Sequence, residues 1–156
     1  MKGIFSVLVE NKDGVLSQIS GLFARRGYNI DSLAVGETEH HDISSMTIVS
    51  TGEDWKIDQI EKHLNKKLDV IKVRRLDELD SVALEMMLIK VSYNQQNRAA
   101  LLETCLATGA QIMVMTPKYM LIEIHNAPDM IENFIGLVKA YGILEIQRTG
   151  TIALSK

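Results

Sequence analysis

Cysteine is nearly missing from this chain. Cys105 is the only one in 156 residues, so no internal disulfide framework is possible. It lies among apolar residues at helical spacing, which reads as inert core packing rather than a nucleophile or a metal ligand. A reducing, cytoplasmic setting is expected. An excess of cations is missing too. The net charge is −3, and the pairs Lys66-Lys67 and Arg74-Arg75 are too short to build the basic face that nucleic acid requires. No apolar run approaches the roughly 20 residues that span a bilayer. Met1-Lys2-Gly3 leads straight into a strand pattern rather than a signal peptide.

Catalytic signatures are also absent. The sequence holds no Cys-x-x-Cys, no His-Glu-x-x-His, no Gly-x-Ser-x-Gly and no glycine-rich phosphate loop. His40 and His41 are adjacent in a polar stretch, and adjacent residues rarely point together, so solvated turn residues are expected there rather than a metal pair. His63 falls beside charged helix neighbours and His125 at a strand end. Glu37, Glu39 and Asp42 read as a solvated loop rather than a divalent-cation site. The eight methionines read as core filler. The expectation is a chain with no catalytic residues, no metal and no cofactor of its own.

What the sequence does contain is periodicity. Ile4–Val9 reads as a buried strand, and Val15, Leu16, Ile19, Leu22 and Phe23 recur at helical spacing. That helix stops at Arg25-Arg26-Gly27, with cations in its last turn and glycine at its cap. Strands follow at 30–35 and 43–51, a helix carrying Ile57, Ile60 and Leu64, and a strand at 70–73. The order β-α-β-β-α-β is the split ferredoxin-like pattern. Residues 76–80 are acidic and aperiodic and read as a linker. The order then repeats: strand 82–91, helix 98–107, strands 111–115 and 119–124, a helix opened by Pro128, and a last strand at 143–147. The reading is α+β, with two ferredoxin-like domains in tandem over residues 1–76 and 77–156. Halves of about 75 residues need support from a partner surface, so a homodimer is expected.

One turn carries chemistry. Asn11-Lys12-Asp13-Gly14 joins the first strand to the first helix. A helix N-terminus leaves backbone N–H groups unpaired, and its dipole favours an anion. Gly14 lets a ligand approach the backbone. A carboxylate fits on the N–H groups of Asp13, Gly14 and Val15, and the carbonyl of Asn11 or Asn29 is a fitting acceptor for an α-ammonium. Val15, Leu16 and Ile30 suit an aliphatic side chain. The alternative is ordinary helix capping by Asp13, and spacing alone favours it, because strand-to-helix turns commonly carry such residues.

Ser6–Asn11 with Gly14-Val15-Leu16-Ser17, Gly21-Leu22-Phe23 and Arg26–Leu33 resemble the opening of the ACT domains of acetolactate synthase small subunits. Met46-Thr47-Ile48, Glu85–Val91, Tyr141-Gly142-Ile143 and Arg148-Thr149-Gly150 continue the resemblance over nearly the whole chain. It implies a non-catalytic regulatory partner of a catalytic subunit that uses thiamine diphosphate, Mg and FAD. Valine, or another branched-chain amino acid, is implied to bind between ACT domains of two chains. The turn Asn11–Leu16 of one chain would meet Asn29 and Ile30 of its neighbour, with Ser17 in support. The second half is implied to dimerise and to contact the catalytic subunit. Feedback regulation and activation of that subunit follow from the same resemblance. Two other functions fit the pattern less well. One is a free-standing ACT-type sensor acting on another partner. The other is an acylphosphatase-like enzyme, whose first-turn Arg is replaced here by Lys12.

Overall fold

Alternation along the first strand sets the architecture. In β1 (Lys2–Glu10), Phe5, Val7 and Val9 point to one face and are buried, while Ser6 and Leu8 point to the other. The structure is a computed structural model that describes residues 1–156. α1 (Val15–Arg26) and α2 (Asp54–Leu64) cover the apolar face of β1. Each presents a stripe at i, i+3, i+4 and i+7 spacing: Val15, Ile19, Leu22 and Phe23 from α1, and Ile57, Ile60 and Leu64 from α2. With β2 (Ser32–Glu37), β3 (Ile43–Thr51) and β4 (Val70–Leu76), β1 forms an antiparallel sheet in the order β2-β3-β1-β4. This is the expected ferredoxin-like arrangement. α1 ends as anticipated: Arg25 and Arg26 occupy its last turn, and the left-handed Gly27 returns its N–H to the Ala24 carbonyl at 3.2 Å. Strand pairing of β2 begins at Ser32 rather than Ile30, because Ile30 turns its side chain into the core instead.

The second unit repeats the plan. β5 (Ser81–Ser92), α3 (Arg98–Thr108), β6 (Gln111–Met115), β7 (Tyr119–Asn126), α4 (Pro128–Val138) and β8 (Ile143–Arg148) give a sheet in the order β6-β7-β5-β8. A short 3-10 turn, Lys139–Tyr141, precedes β8. The two central strands carry a register shift at matching places, between Leu8 and Val9 against β4 and between Lys90 and Val91 against β8. Met87, Ile89 and Val91 of β5 pack with Leu101, Cys105, Phe134 and Val138. Burial pushes the Cys105 thiol above its ordinary value and holds it protonated. The family motif Arg148-Thr149 closes this unit. The Arg148 guanidinium forks onto the buried Glu85 carboxylate at 2.5 and 3.0 Å and reaches Glu132 at 2.6 Å. The Thr149 hydroxyl accepts the Met86 N–H at 3.1 Å. The methionines divide: Met46, Met87 and Met120 fill cores, while Met1, Met86, Met113, Met115 and Met130 are exposed, so the core-filler reading applies to three of them.

The boundary differs from the one read at residue 76. The first compact unit comprises Met1–Ala83 together with Thr151–Lys156, and the second comprises Leu84–Gly150. The reason is a strand that the sequence reading stopped short of, β9 (Ile152–Ser155), whose hydrogen-bond and packing neighbours lie in the first unit. Around it, the Thr151 N–H donates to Ser32 Oγ at 2.8 Å and the Ala153 N–H to Thr47 Oγ1 at 3.3 Å. Ala153 completes a small cluster with Ile4, Val49 and Leu76 on the sheet face opposite the helices. Replacing Ala153 by Asp places an unpaired carboxylate in that cluster and is expected to cost about 2–4 kcal/mol. Urea unfolding followed through Trp55, the single tryptophan and a residue of the first unit, checks this; an unchanged midpoint would show that the cluster contributes nothing.

Candidate functional site

The turn between β1 and α1 is built around Gly14, whose φ of 85° is left-handed. A side chain there would be strained, and the space beyond its Cα is open. Asp13 does not cap the helix: α1 has no side-chain hydrogen bond at its N-terminus. The capping alternative is therefore not realised. The Val15 N–H reaches the Lys12 carbonyl at 3.4 Å and the Gln18 N–H the Gly14 carbonyl at 2.9 Å. The N–H groups of Asp13, Gly14, Leu16 and Ser17 have no partner in the chain, so the positive end of α1 faces outward with donors unspent. Val15 differs from the sequence reading. Its N–H is engaged and its side chain is buried in the core, whereas Leu16 is 45% exposed beside the open N–H groups.

Two clamps hold this turn. On one side the Asn11 amide donates to Glu37 Oε1 at 3.2 Å and to the His41 carbonyl at 2.8 Å, while the Asn11 N–H donates to the Asp42 carbonyl at 2.8 Å. Glu37 in turn meets His41 Nδ1 at 3.0 Å. Glu37 is thus a structural partner of the turn rather than one of three loosely solvated acids. The two histidines diverge, His41 to Glu37 and His40 toward Glu39. On the other side Lys12 Nζ pairs with Asp69 Oδ1 at 2.9 Å and also with Glu10. The Lys12 ammonium holds the buried Asp69 carboxyl below the usual carboxylate range. Glu10 and Asp69 together raise the lysine. Sequence reading missed Glu37, His41 and Asp69 as partners of the turn. The acids around residue 40 were a visible signal for the first clamp, but Asp69 becomes a neighbour only through the pairing of β1 with β4.

Asn29 and Ile30 lie elsewhere in the chain. The Asn29 amide donates to Asp31, and its carbonyl accepts the Ser50 hydroxyl at 2.5 Å. Tyr28 beside it hydrogen-bonds His63 Nδ1 at 2.8 Å; burial, with Arg26 and Lys66 nearby, lowers the histidine pKa. Register puts these residues and the turn at opposite ends of the sheet. Glu10 pairs with Ile43 and Glu37 with Ser44, whereas Ser32 pairs with Val49. Five residue steps along β2 separate the two ends by roughly 17 Å. One chain therefore does not bring Asn29 and Ile30 to Asn11–Leu16. β2 is a free edge of its sheet.

Residues 5–72 match the family model described as an AHAS small subunit-like ACT domain, and residues 84–156 match the model described as the small subunit of acetolactate synthase. The chain belongs to the acetolactate synthase small-subunit family. A probable acetolactate synthase small subunit of Archaeoglobus fulgidus is 43% identical over 99% of this chain and 96% of its own. The acetolactate synthase small subunit of Mycolicibacterium smegmatis is 42% identical over 97% of this chain and 89% of its own. Among solved structures, the acetolactate synthase small subunit of Thermotoga maritima superposes with a TM-score of 0.88 at 36% identity, covering 100% of this chain and 98% of the other. The tandem ferredoxin-like fold is thus that of this small-subunit family.

The Lys12–Asp69 clamp makes a pH prediction. A carboxyl held below its unfolded value adds stability above that value, near pH 4, and the contribution is lost as pH falls through the lower folded value. In Asp69→Asn, stability should decline less steeply below roughly pH 4 than in the parent chain. Urea unfolding across that range, read at Trp55, tests it, and parallel acid limbs would remove the clamp from the account.

Proposed function

We propose that the chain is a regulatory subunit that binds a branched-chain amino acid, valine foremost, and transmits its presence to an acetolactate synthase catalytic subunit in the cytoplasm. The observation that carries this reading is the uncapped N-terminus of α1, with four unpaired N–H groups at a turn clamped on both sides. A carboxylate on those donors is stabilised by hydrogen bonds and by the helix dipole. The exposed Leu16 side chain gives an aliphatic group apolar contact, and the Asn11 carbonyl is an acceptor for the ammonium. No group of three or more potential metal-ligating His, Cys, Asp or Glu residues occurs. Thiamine diphosphate, Mg and FAD belong in this reading to the catalytic partner.

The geometry favours a site shared by two copies. Pairing two β2 edges about a two-fold axis runs the strands antiparallel, which sets the 29–30 end of one chain beside the 11–16 end of the other. The ligand then links the copies, and its preference for one arrangement of the dimer biases what the catalytic subunit meets. Coupling of about 1–3 kcal/mol changes activity several-fold. Contact with the catalytic subunit is assigned to the second unit.

Valine should bind the full chain with a dissociation constant from about 1 μM to 1 mM, and at a hundredfold excess over that constant should stabilise it by about 2.7 kcal/mol. Calorimetry and thermal unfolding read both. Gly14→Asp should abolish the response by placing an anion where the carboxylate rests. Gly14→Ala, with backbone strain of about 1–2 kcal/mol but no charge, should keep it. Asn29→His should also lose it. Mixing the Gly14→Asp and Asn29→His chains should restore part of the response, because random exchange leaves about a quarter of the shared sites unaltered. No recovery on mixing would place the site within one chain, and no response of the parent to any branched-chain amino acid would end the proposal. Copurification with the catalytic subunit distinguishes this role from that of a free-standing sensor.

A further inference from the structure

The first sheet has a second face, turned away from α1 and α2, and it holds a groove of about 190 Å³. Register defines its floor. Across the sheet Ser6 lies between Thr47 and Arg74, and Leu8 lies between Ser45 and Lys72. Leu76 and the β9 residues Leu154 and Ser155 complete the lining. All of these residues belong to the first unit.

The charge in this groove is unbalanced. Lys72 and Arg74 are exposed on one face of β4, and no carboxylate lines the groove. Lys72 takes part in no ion pair, and the one polar side-chain partner of Arg74 is the Ser155 hydroxyl at 3.2 Å. The hydroxyls of Ser6 and Ser45 make no hydrogen bond within the chain, although both residues are partly buried. The nearest acid along β1, Glu10, is already held by Lys12. Two cations and two free hydroxyl donors thus face one another over an apolar lining, in a chain whose net charge is −3. Two other cations of the first unit do have acid partners, Arg75 with Asp58 at 2.7 Å and Lys12 with Asp69. Unmatched cations beside unspent hydroxyls are a donor set for an oxyanion.

Residues two apart on a strand project to the same face with roughly 7 Å between them. An anion with two charged groups gives each of the two cations an oxyanion partner of its own at that spacing. We propose that this groove binds a small anion carrying two oxyanion groups, diphosphate or dicarboxylate, with Lys72 and Arg74 each taking one group and Ser6 and Ser45 donating from the floor. The site is separate from the amino-acid turn and does not depend on it.

The test titrates the full chain with inorganic pyrophosphate and, separately, with succinate, at low and at moderate salt. Calorimetry gives the affinity, and the amide NMR signals of residues 6–8, 45 and 72–74 give the location. Saturable binding of either probe with signals moving at those residues supports the site, and the probe that binds tells phosphate from carboxylate chemistry. The double variant Lys72→Gln/Arg74→Gln should bind at least about tenfold more weakly, the loss expected from removing charge-assisted hydrogen bonds. Ser45→Glu, which keeps both cations but supplies an internal anion, should weaken binding likewise. Screening should lower the affinity as salt rises. Neither probe binding, undiminished binding by the double variant, or signals moving only outside the groove would each overturn the proposal.

Discussion

β1 is hydrogen-bonded on both sides, to β3 and to β4, and the geometry of the first unit depends on that double pairing. With both edges used, the strand has no freedom to slip, since a shift of one residue would turn Phe5, Val7 and Val9 out of the core. The end of β1 is therefore fixed in space, and so is the point where the chain must turn into α1. The partners of the two clamps arrive by the same pairing. Residues 37–42 come with β3 and Asp69 comes with β4, one to each side of the turn.

This arrangement explains how a helix end stays open in a stable unit. Capping normally satisfies the first N–H groups of a helix with a nearby side chain. Here Asn11, which could do so, is directed to the β2–β3 hairpin, Asp13 makes no cap hydrogen bond, and glycine occupies the cap position. The turn gains order from its flanks while its donors face solvent. The cost of glycine at the cap in place of a capping side chain, about a few tenths of a kcal/mol, is small beside the burial of Val15, Ile19, Leu22 and Phe23 on the same helix. The unit tolerates a locally unfavourable feature at this turn.

Most of the fold was legible because its signals are local. Alternation in β1, the helical spacing of α1 and α2, Gly27 after two arginines and Pro128 at the first turn of α4 each depend on a few neighbouring residues, and each element formed where these point. The repeat of the pattern was legible for the same reason. β9 was not, since four residues carry too little periodicity and the Thr47 hydroxyl that holds Ala153 lies more than a hundred residues away. The turn Asn11–Gly14 was visible as a break in pattern. Its state was not: the backbone of the turn is held by the clamps on its two sides, whose partners only the sheet brings near. The placing of Asn29 and Ile30 at the far end of the sheet likewise follows from register, which no single stretch of sequence encodes.

The return of Thr151–Lys156 to the first unit bears on the order in which the molecule can form. Synthesis delivers residues from the N-terminus, and domains commonly fold as they emerge. In this chain the first unit to emerge is the last to be completed, because Thr151 and Ala153 follow the whole of Leu84–Gly150. Until then Ile4, Val49 and Leu76 present apolar surface on a face that lacks its final strand. The second unit is contiguous and can close alone, and the chain then folds back to finish what it began.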